Sequence, residues 1–109
     1  MMQKQTSDFD MKMKLIHGFS NKTRMQILEC IKAEEKTVSQ IIDETKGSQS
    51  NISQHLACLK GCGIIVGRNE GKYMYYSLRN QNIRDLLEMF DVVLEDVEKT
   101  IACCDRHID

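Results

Sequence analysis

Apolar residues recur at helical spacing along most of this chain, and one stretch between residues 64 and 78 breaks the pattern. Met11, Leu15, Ile16 and Phe19 lie near one side of a first helix, predicted from about Asp8 to Gly18 after a frayed start at residues 1–7. Gly18 and the Ser20-Asn21 pair end it. Met25, Ile27, Leu28 and Ile31 predict a second helix over about Lys22 to Glu34. Thr37-Val38-Ser39-Gln40 has the form of a capping box, in which Thr37 accepts from the backbone of Gln40 and the Gln40 side chain reaches back. It opens a short third helix that ends near Lys46-Gly47, where glycine can take the left-handed cap.

After that tight turn, Ile52, Leu56 and Leu59 mark the inner face of a fourth helix, about Gln49 to Lys60, ended by Gly61 and Gly63. Ile64-Ile65-Val66 and Tyr73-Met74-Tyr75-Tyr76-Ser77-Leu78 read as strands, being rich in β-branched and aromatic residues. Asn69-Glu70-Gly71 forms the hairpin tip between them. Asn80 then caps a helix of about 20 residues, ~30 Å long at ~1.5 Å per residue. Its stripe of Ile83, Leu86, Leu87, Phe90, Val93, Leu94, Val97 and Ile101 is longer than a small domain needs for its own core.

The expected fold is therefore mainly α with a β-hairpin: a winged helix-turn-helix in the order α-α-α-α-β-β-α. It forms a single domain over residues 1–109, in which residues 102–109 are a C-terminal tail carrying cysteines. That length suits one domain with a modest core. No apolar run is long enough to span a membrane and no signal-peptide pattern opens the chain, so a cytoplasmic protein is expected. In that compartment the 5 cysteines point to metal binding, reactivity or burial rather than to a disulfide framework. Charge is asymmetric: residues 1–79 carry 12 Lys/Arg against 8 Asp/Glu, and residues 80–109 carry 3 against 8. A mildly basic body can face a polyanion while an acidic last helix faces away, although solvated faces are the commoner explanation of such a balance.

In a helix-turn-helix the N-terminal half of the second helix enters the major groove. Here that half offers Ser48, Gln49, Ser50, Ser53, Gln54 and His55. Gln can pair bidentately with adenine, and Ser can bond bases or phosphates. His55 has two readings, a surface contact to base or phosphate, or a hydrogen bond into the hairpin. Arg68, Asn69 and Lys72 stand near the wing tip, placed for phosphate or a minor groove.

Cys58 and Cys62 are one helical turn apart, which puts their Cβ atoms ~5–6 Å from each other. Two thiolates can share a soft, zinc-sized ion at that separation. A third donor must come from elsewhere, and Cys103 and Cys104 at the end of the long helix, followed by His107, are the available ones. If the long helix pairs across a dimer two-fold, that tail belongs to the other subunit. A Cys58–Cys62 disulfide or redox couple is the other functional reading, and burial as small hydrophobes is the bland one. Cys30 reads as core, His17 as a local polar contact, and Met11, Met13, Met25 and Met89 as packing.

Three stretches together resemble the ArsR/SmtB family of winged-helix repressors. They are Phe19-Ser20-Asn21-Lys22-Thr23-Arg24-Met25-Gln26-Ile27-Leu28, Ser48 through Leu56, and Gly71 through Leu78, with Asn21-Lys22 standing where the family usually has Asp-Pro. The segment Thr37-Val38-Ser39-Gln40-Ile41 lacks the cysteines of the arsenic-sensing site. The last helix has Arg84, Asp85, Val97 and Glu98 where zinc and cobalt or nickel sensors carry Asp and His. Leu56-Ala57-Cys58-Leu59-Lys60-Gly61-Cys62-Gly63 is similar instead to the cadmium/lead-sensing, CmtR-like branch.

The resemblance implies a homodimer through the first and last helices that binds double-stranded operator DNA in the apo state. It implies release by Cd(II) or Pb(II), with Zn(II) also possible. The ligands implied are Cys58, Cys62 and a partner-subunit Cys103, with Cys104 as the near alternative. The same repressor sensing thiol oxidation, reactive sulfur or arsenite is the nearest rival. A metal-storage protein that uses the cysteines without DNA is another. An enzyme is disfavoured, because C-x-x-C, H-E-x-x-H and phosphate-loop motifs are all missing.

Overall fold

The structure is a computed structural model that describes the backbone of residues 2–108 and the side chains of residues 8–98. It comprises a body that ends at Arg79 and a C-terminal unit that starts at Asn80. The body runs α1 (Met2–Gly18), α2 (Lys22–Ile31), β1 (Lys36–Thr37), α3 (Val38–Thr45), α4 (Gln49–Gly61), β2 (Ile65–Glu70) and β3 (Tyr73–Leu78). The second unit is α5 (Gln81–Ile108).

Local chemistry starts each inner helix. Asn21 Oδ1 accepts from the Arg24 backbone N–H at 3.0 Å, so the amide that replaces the family's usual Asp still caps α2. Both halves of the Thr37/Gln40 capping box are formed at α3. Ser48 Oγ accepts from Asn51 N–H at 3.2 Å at the head of α4, and Asn80 Oδ1 accepts from Ile83 N–H at 3.1 Å at the head of α5. The helices then close on a core of Ile27, Leu28 and Ile31 from α2, Ile41 from α3, Ile52, Leu56 and Leu59 from α4, and Ile64-Ile65. Each of these is at most 2% exposed and contributes on the order of 1.5–3 kcal/mol by burial.

One glycine role differs from expectation. Lys46, not Gly47, takes the left-handed conformation after α3, at φ 61°. Gly47 is needed for space, because a Cβ there would lie 2.9 Å from both Cγ1 and Cδ1 of Ile52. The close approach of α3 to α4 explains this glycine better than its torsional freedom. At the end of α4, Gly63 takes φ +79° and its N–H bonds Lys60 O at 3.0 Å, while Ile64 N–H bonds Leu59 O at 3.0 Å. The chain is thereby turned directly into β2.

The sheet has three antiparallel strands in the order β1-β3-β2, one more than the hairpin expected. Lys36 pairs with Tyr76 and Thr37 with Tyr75. Glu70 pairs with Tyr73, which shortens the hairpin tip to Gly71-Lys72. A two-residue strand carries no periodicity, so β1 left no trace in the apolar pattern.

The terminal helices are longer than predicted. α1 starts at Met2, and α5 runs for 28 residues to Ile108, ~40 Å at ~1.5 Å per residue. The segment expected as a tail therefore continues the helix. Phe9, Met11, Met13 and Ile16 of α1 are exposed, as are Met89, Phe90, Val92, Val93, Leu94 and Val97 of α5. These methionines are thus not packed in the chain's own core. Among the described residues no helix is long and apolar enough to cross a membrane.

Candidate nucleic-acid interface and thiol pair

Because Ile52, Leu56 and Leu59 anchor one side of α4, its other side is obliged to carry the polar residues. Ser48, Gln49, Ser50, Ser53 and Gln54 are all exposed there, as is Asn51. Ser48 Oγ accepts as the helix cap, which leaves its O–H free to donate. His55 is turned inward instead. It is half-buried, with Nδ1 3.4 Å from Arg24 Nη1, facing α2 rather than the hairpin.

Arg68, Asn69 and Lys72 are exposed on the wing. Arg68 is engaged by two carboxylates, however. Its Nε donates to Glu35 Oε1 at 3.2 Å, Nη2 donates to Glu35 Oε2, Nη1 donates to Glu70, and the guanidinium lies 5.0 Å from the centroid of the Tyr75 ring. The hydrogen bond from Arg68 holds the Glu35 carboxyl below the usual carboxylate range. The wing's arginine is therefore neutralised by two carboxylates at rest.

Cys58 and Cys62 are half-buried free thiols at the C-terminal end of α4. Cys62 Sγ lies 4.0 Å from Lys14 O and would be 3.8 Å from a Cβ at Gly18, so it rests on the last turn of α1. Burial pushes the Cys62 thiol up, the neighbouring Cys58 pushes it further, and the positive charges of Lys14 and Arg24 oppose both. Cys62 thus resists becoming a thiolate alone, and a bound cation would supply the missing charge. Soft donors in that setting fit a soft metal. Among the described residues no three His, Cys, Asp or Glu side chains gather to hold an ion. The remaining sequence candidates, Cys103, Cys104 and His107, lie outside the residues whose side chains are described.

Two further groups have roles that the sequence reading does not give them: Arg24 is assigned none there, and Cys30 is read as core. Arg24 is only 7% exposed; its Nε donates to Gly18 O at 3.0 Å and its Nη2 to His17 O at 2.9 Å. Its signal was present, since it sits in register with Leu28 and Ile31 on the buried stripe of α2, where a charge must be paid for by hydrogen bonds. Cys30 is half-buried rather than core, and its Sγ donates to Glu44 Oε1 at 3.2 Å. Lys36 Nζ bonds Cys30 O at 2.6 Å and pairs with Glu44 Oε2 at 3.3 Å.

Burial and the Glu44 hydrogen bond push the Cys30 thiol from its ordinary 9.0 to about 11, against a smaller opposing pull from Lys36. A thiol that holds its proton more tightly when folded stabilises the fold below pH 9, and that contribution is lost as pH rises toward 11. Urea midpoints of the wild type are therefore expected to fall more steeply between those pH values than those of Cys30→Ala. Parallel curves would refute the assignment.

With this geometry in place, the class is plain: a winged helix-turn-helix protein with a polar reading helix. Residues 21–66 match the bacterial regulatory protein, arsR family. A transcriptional regulator of the helix-turn-helix type from Methanocaldococcus jannaschii, MJ1325, is 34% identical over 79 residues, covering 71% of this chain and 88% of its own. A probable mercury resistance operon repressor of Streptomyces lividans is 28% identical over 93 residues, covering 85% and 74%. The regulator CmtR of Mycobacterium tuberculosis is 44% identical, but over 48 residues that cover 43% of this chain and 41% of its own. The homodimeric winged helix-turn-helix DNA-binding domain of a possible ArsR-family regulator from Mycobacterium bovis superposes with a TM-score of 0.83 at 24% identity, over 89% of this chain and 90% of that one. The chain belongs to the arsR family. It is a DNA-binding transcriptional regulator and not an enzyme.

Proposed function

We propose that this protein is a homodimeric repressor that reads operator DNA with α4 and the wing and is released when a soft metal ion binds Cys58 and Cys62. The observation that carries the reading is the seating of two adjacent thiols at the end of the helix whose exposed face holds Gln49, Ser50, Ser53 and Gln54. The mercury-resistance description of one relative and the local similarity to CmtR support a soft-metal effector, with Cd(II) or Pb(II) first and Zn(II) second. Cys103 is the proposed third donor, Cys104 the alternative, supplied by the partner subunit. The exposed apolar residues of α1 and α5 are the proposed dimer faces. A two-fold dimer would set its reading helices ~34–36 Å apart, one turn of DNA. Thiol oxidation is the lesser reading, because a thiol held protonated by burial is the less reactive kind.

The test starts from a duplex selected by the metal-free protein from a random library. Cd(II), Pb(II), Zn(II) and arsenite are titrated into that complex while thiolate–metal absorbance and DNA anisotropy are followed together. Metal-driven, chelator-reversible release is expected. Release reversed only by reductant would replace metal sensing with redox sensing, and no release by any titrant would refute both.

The wing offers a separate prediction. Removing both carboxylate charges, Glu35→Gln together with Glu70→Gln, should free Arg68 for phosphate, raising affinity several-fold at low salt and steepening the salt dependence by about one phosphate contact. An unchanged salt slope would mean that Arg68 does not reach DNA.

A further inference from the structure

The end of α1 is tied to α4 at two points, one direct and one through α2. One is the thiol of Cys62, against Lys14 O and Gly18. The other is Arg24, whose guanidinium binds the carbonyls of His17 and Gly18 and extends its remaining nitrogen to His55 Nδ1. His55 lies one turn before Cys58 on the same helix and directly after the exposed run that ends at Gln54. A guanidinium has donors only, in a rigid planar fork, so it fixes the positions of three acceptors relative to one another. Gly18 permits the close seat: a Cβ there would come 2.5 Å from Ile64 Cδ1.

These contacts form a closed circuit from Cys62 to the end of α1, through Arg24 to His55, and back along α4. Anything that draws the thiols together must move Cys62 against α1 or carry α4 with it. We infer that Arg24 and His55 are positioning residues that convert the state of the thiol pair into the orientation of the reading helix. The inference rests on the proposed effector site, and it assigns the coupling to two residues that touch neither metal nor, in the geometry described, open solvent on the polar face of α4. Coupling of this kind is a ratio of affinities and commonly amounts to about 5- to 150-fold. It therefore separates from stability and from affinity in either state.

The experiment measures the factor by which Cd(II) weakens binding of the selected duplex, in wild type, Arg24→Lys, His55→Ala and His55→Gln, with circular dichroism to check folding. Cd(II)–thiolate absorbance and stoichiometry are expected to be unchanged in all four. The coupling factor is expected to fall at least five-fold in Arg24→Lys and His55→Ala, and to recover in His55→Gln, whose amide oxygen can accept from Arg24. A purely structural role would lower stability or both affinities and leave the factor alone. Wild-type coupling in folded His55→Ala and Arg24→Lys would overturn the inference while leaving the effector site standing. Absence of any Cd(II) effect in the wild type would overturn both.

Discussion

Cys62→Ser is expected to bind the selected duplex within a few-fold of wild type and to ignore Cd(II). The sulfur sits on α1 and away from the exposed polar face of α4, so its loss removes a proposed metal donor without touching the proposed reading residues. Serine oxygen is a hard, poorly ionised replacement for a thiolate, and the penalty should exceed the roughly 10–100-fold that losing an outer-shell partner costs. Cys58→Ser should behave alike, and Cys30→Ser should not, because Cys30 donates to Glu44 between α2 and α3. Thiolate–metal absorbance and anisotropy recorded on the same samples check this. A normal Cd(II) response from Cys62→Ser would refute the site.

The second large effect separates the two faces of α4. Leu56 is 2% exposed at the centre of the core, so Leu56→Ala is expected to cost about 2–5 kcal/mol of unfolding free energy. That is much of what holds a small domain together, typically about 5–15 kcal/mol. Gln54, two residues earlier, is exposed; Gln54→Ala should change stability by less than about 0.5 kcal/mol while weakening the selected duplex. Urea denaturation and anisotropy on the two variants give opposite patterns if α4 is a core helix with a reading face. Equal effects on stability would mean that the helix is oriented differently.

Those two faces were legible in the sequence because Ile52, Leu56 and Leu59 repeat at helical spacing and every intervening residue is polar or small. The Thr37 capping box, the Ser48 turn and the Asn80 cap were legible for a similar reason, since each is a local pattern of a few residues. What escaped depends on contacts between distant residues. Lys36 and Thr37 form a strand only because β3 is there to pair with them. Arg24 shares the buried stripe of α2 with Leu28 and Ile31, but only the carbonyls at the end of α1 and the His55 ring show what it does. By position Arg68 reads as an available cation, whereas in the fold Glu35, far away in sequence, is bound to it. Cys30 read as core because Leu28 and Ile31 flank it, but a helix turns about 100° per residue and its neighbours in sequence do not share its face.

Thr37 belongs to two elements at once: its backbone pairs with Tyr75 in the wing sheet, and its side chain starts α3. Between the wing and the first helix of the reading pair there is accordingly no residue left over to serve as a hinge, since hinges need loop positions that can absorb a change in φ and ψ. If the wing meets DNA as proposed, it should act as an outrigger and not as a flap. A groove that presses on Gly71-Lys72 transmits torque through β3 to the start of α3, so hairpin and helices should adapt to DNA of different groove widths by tilting together.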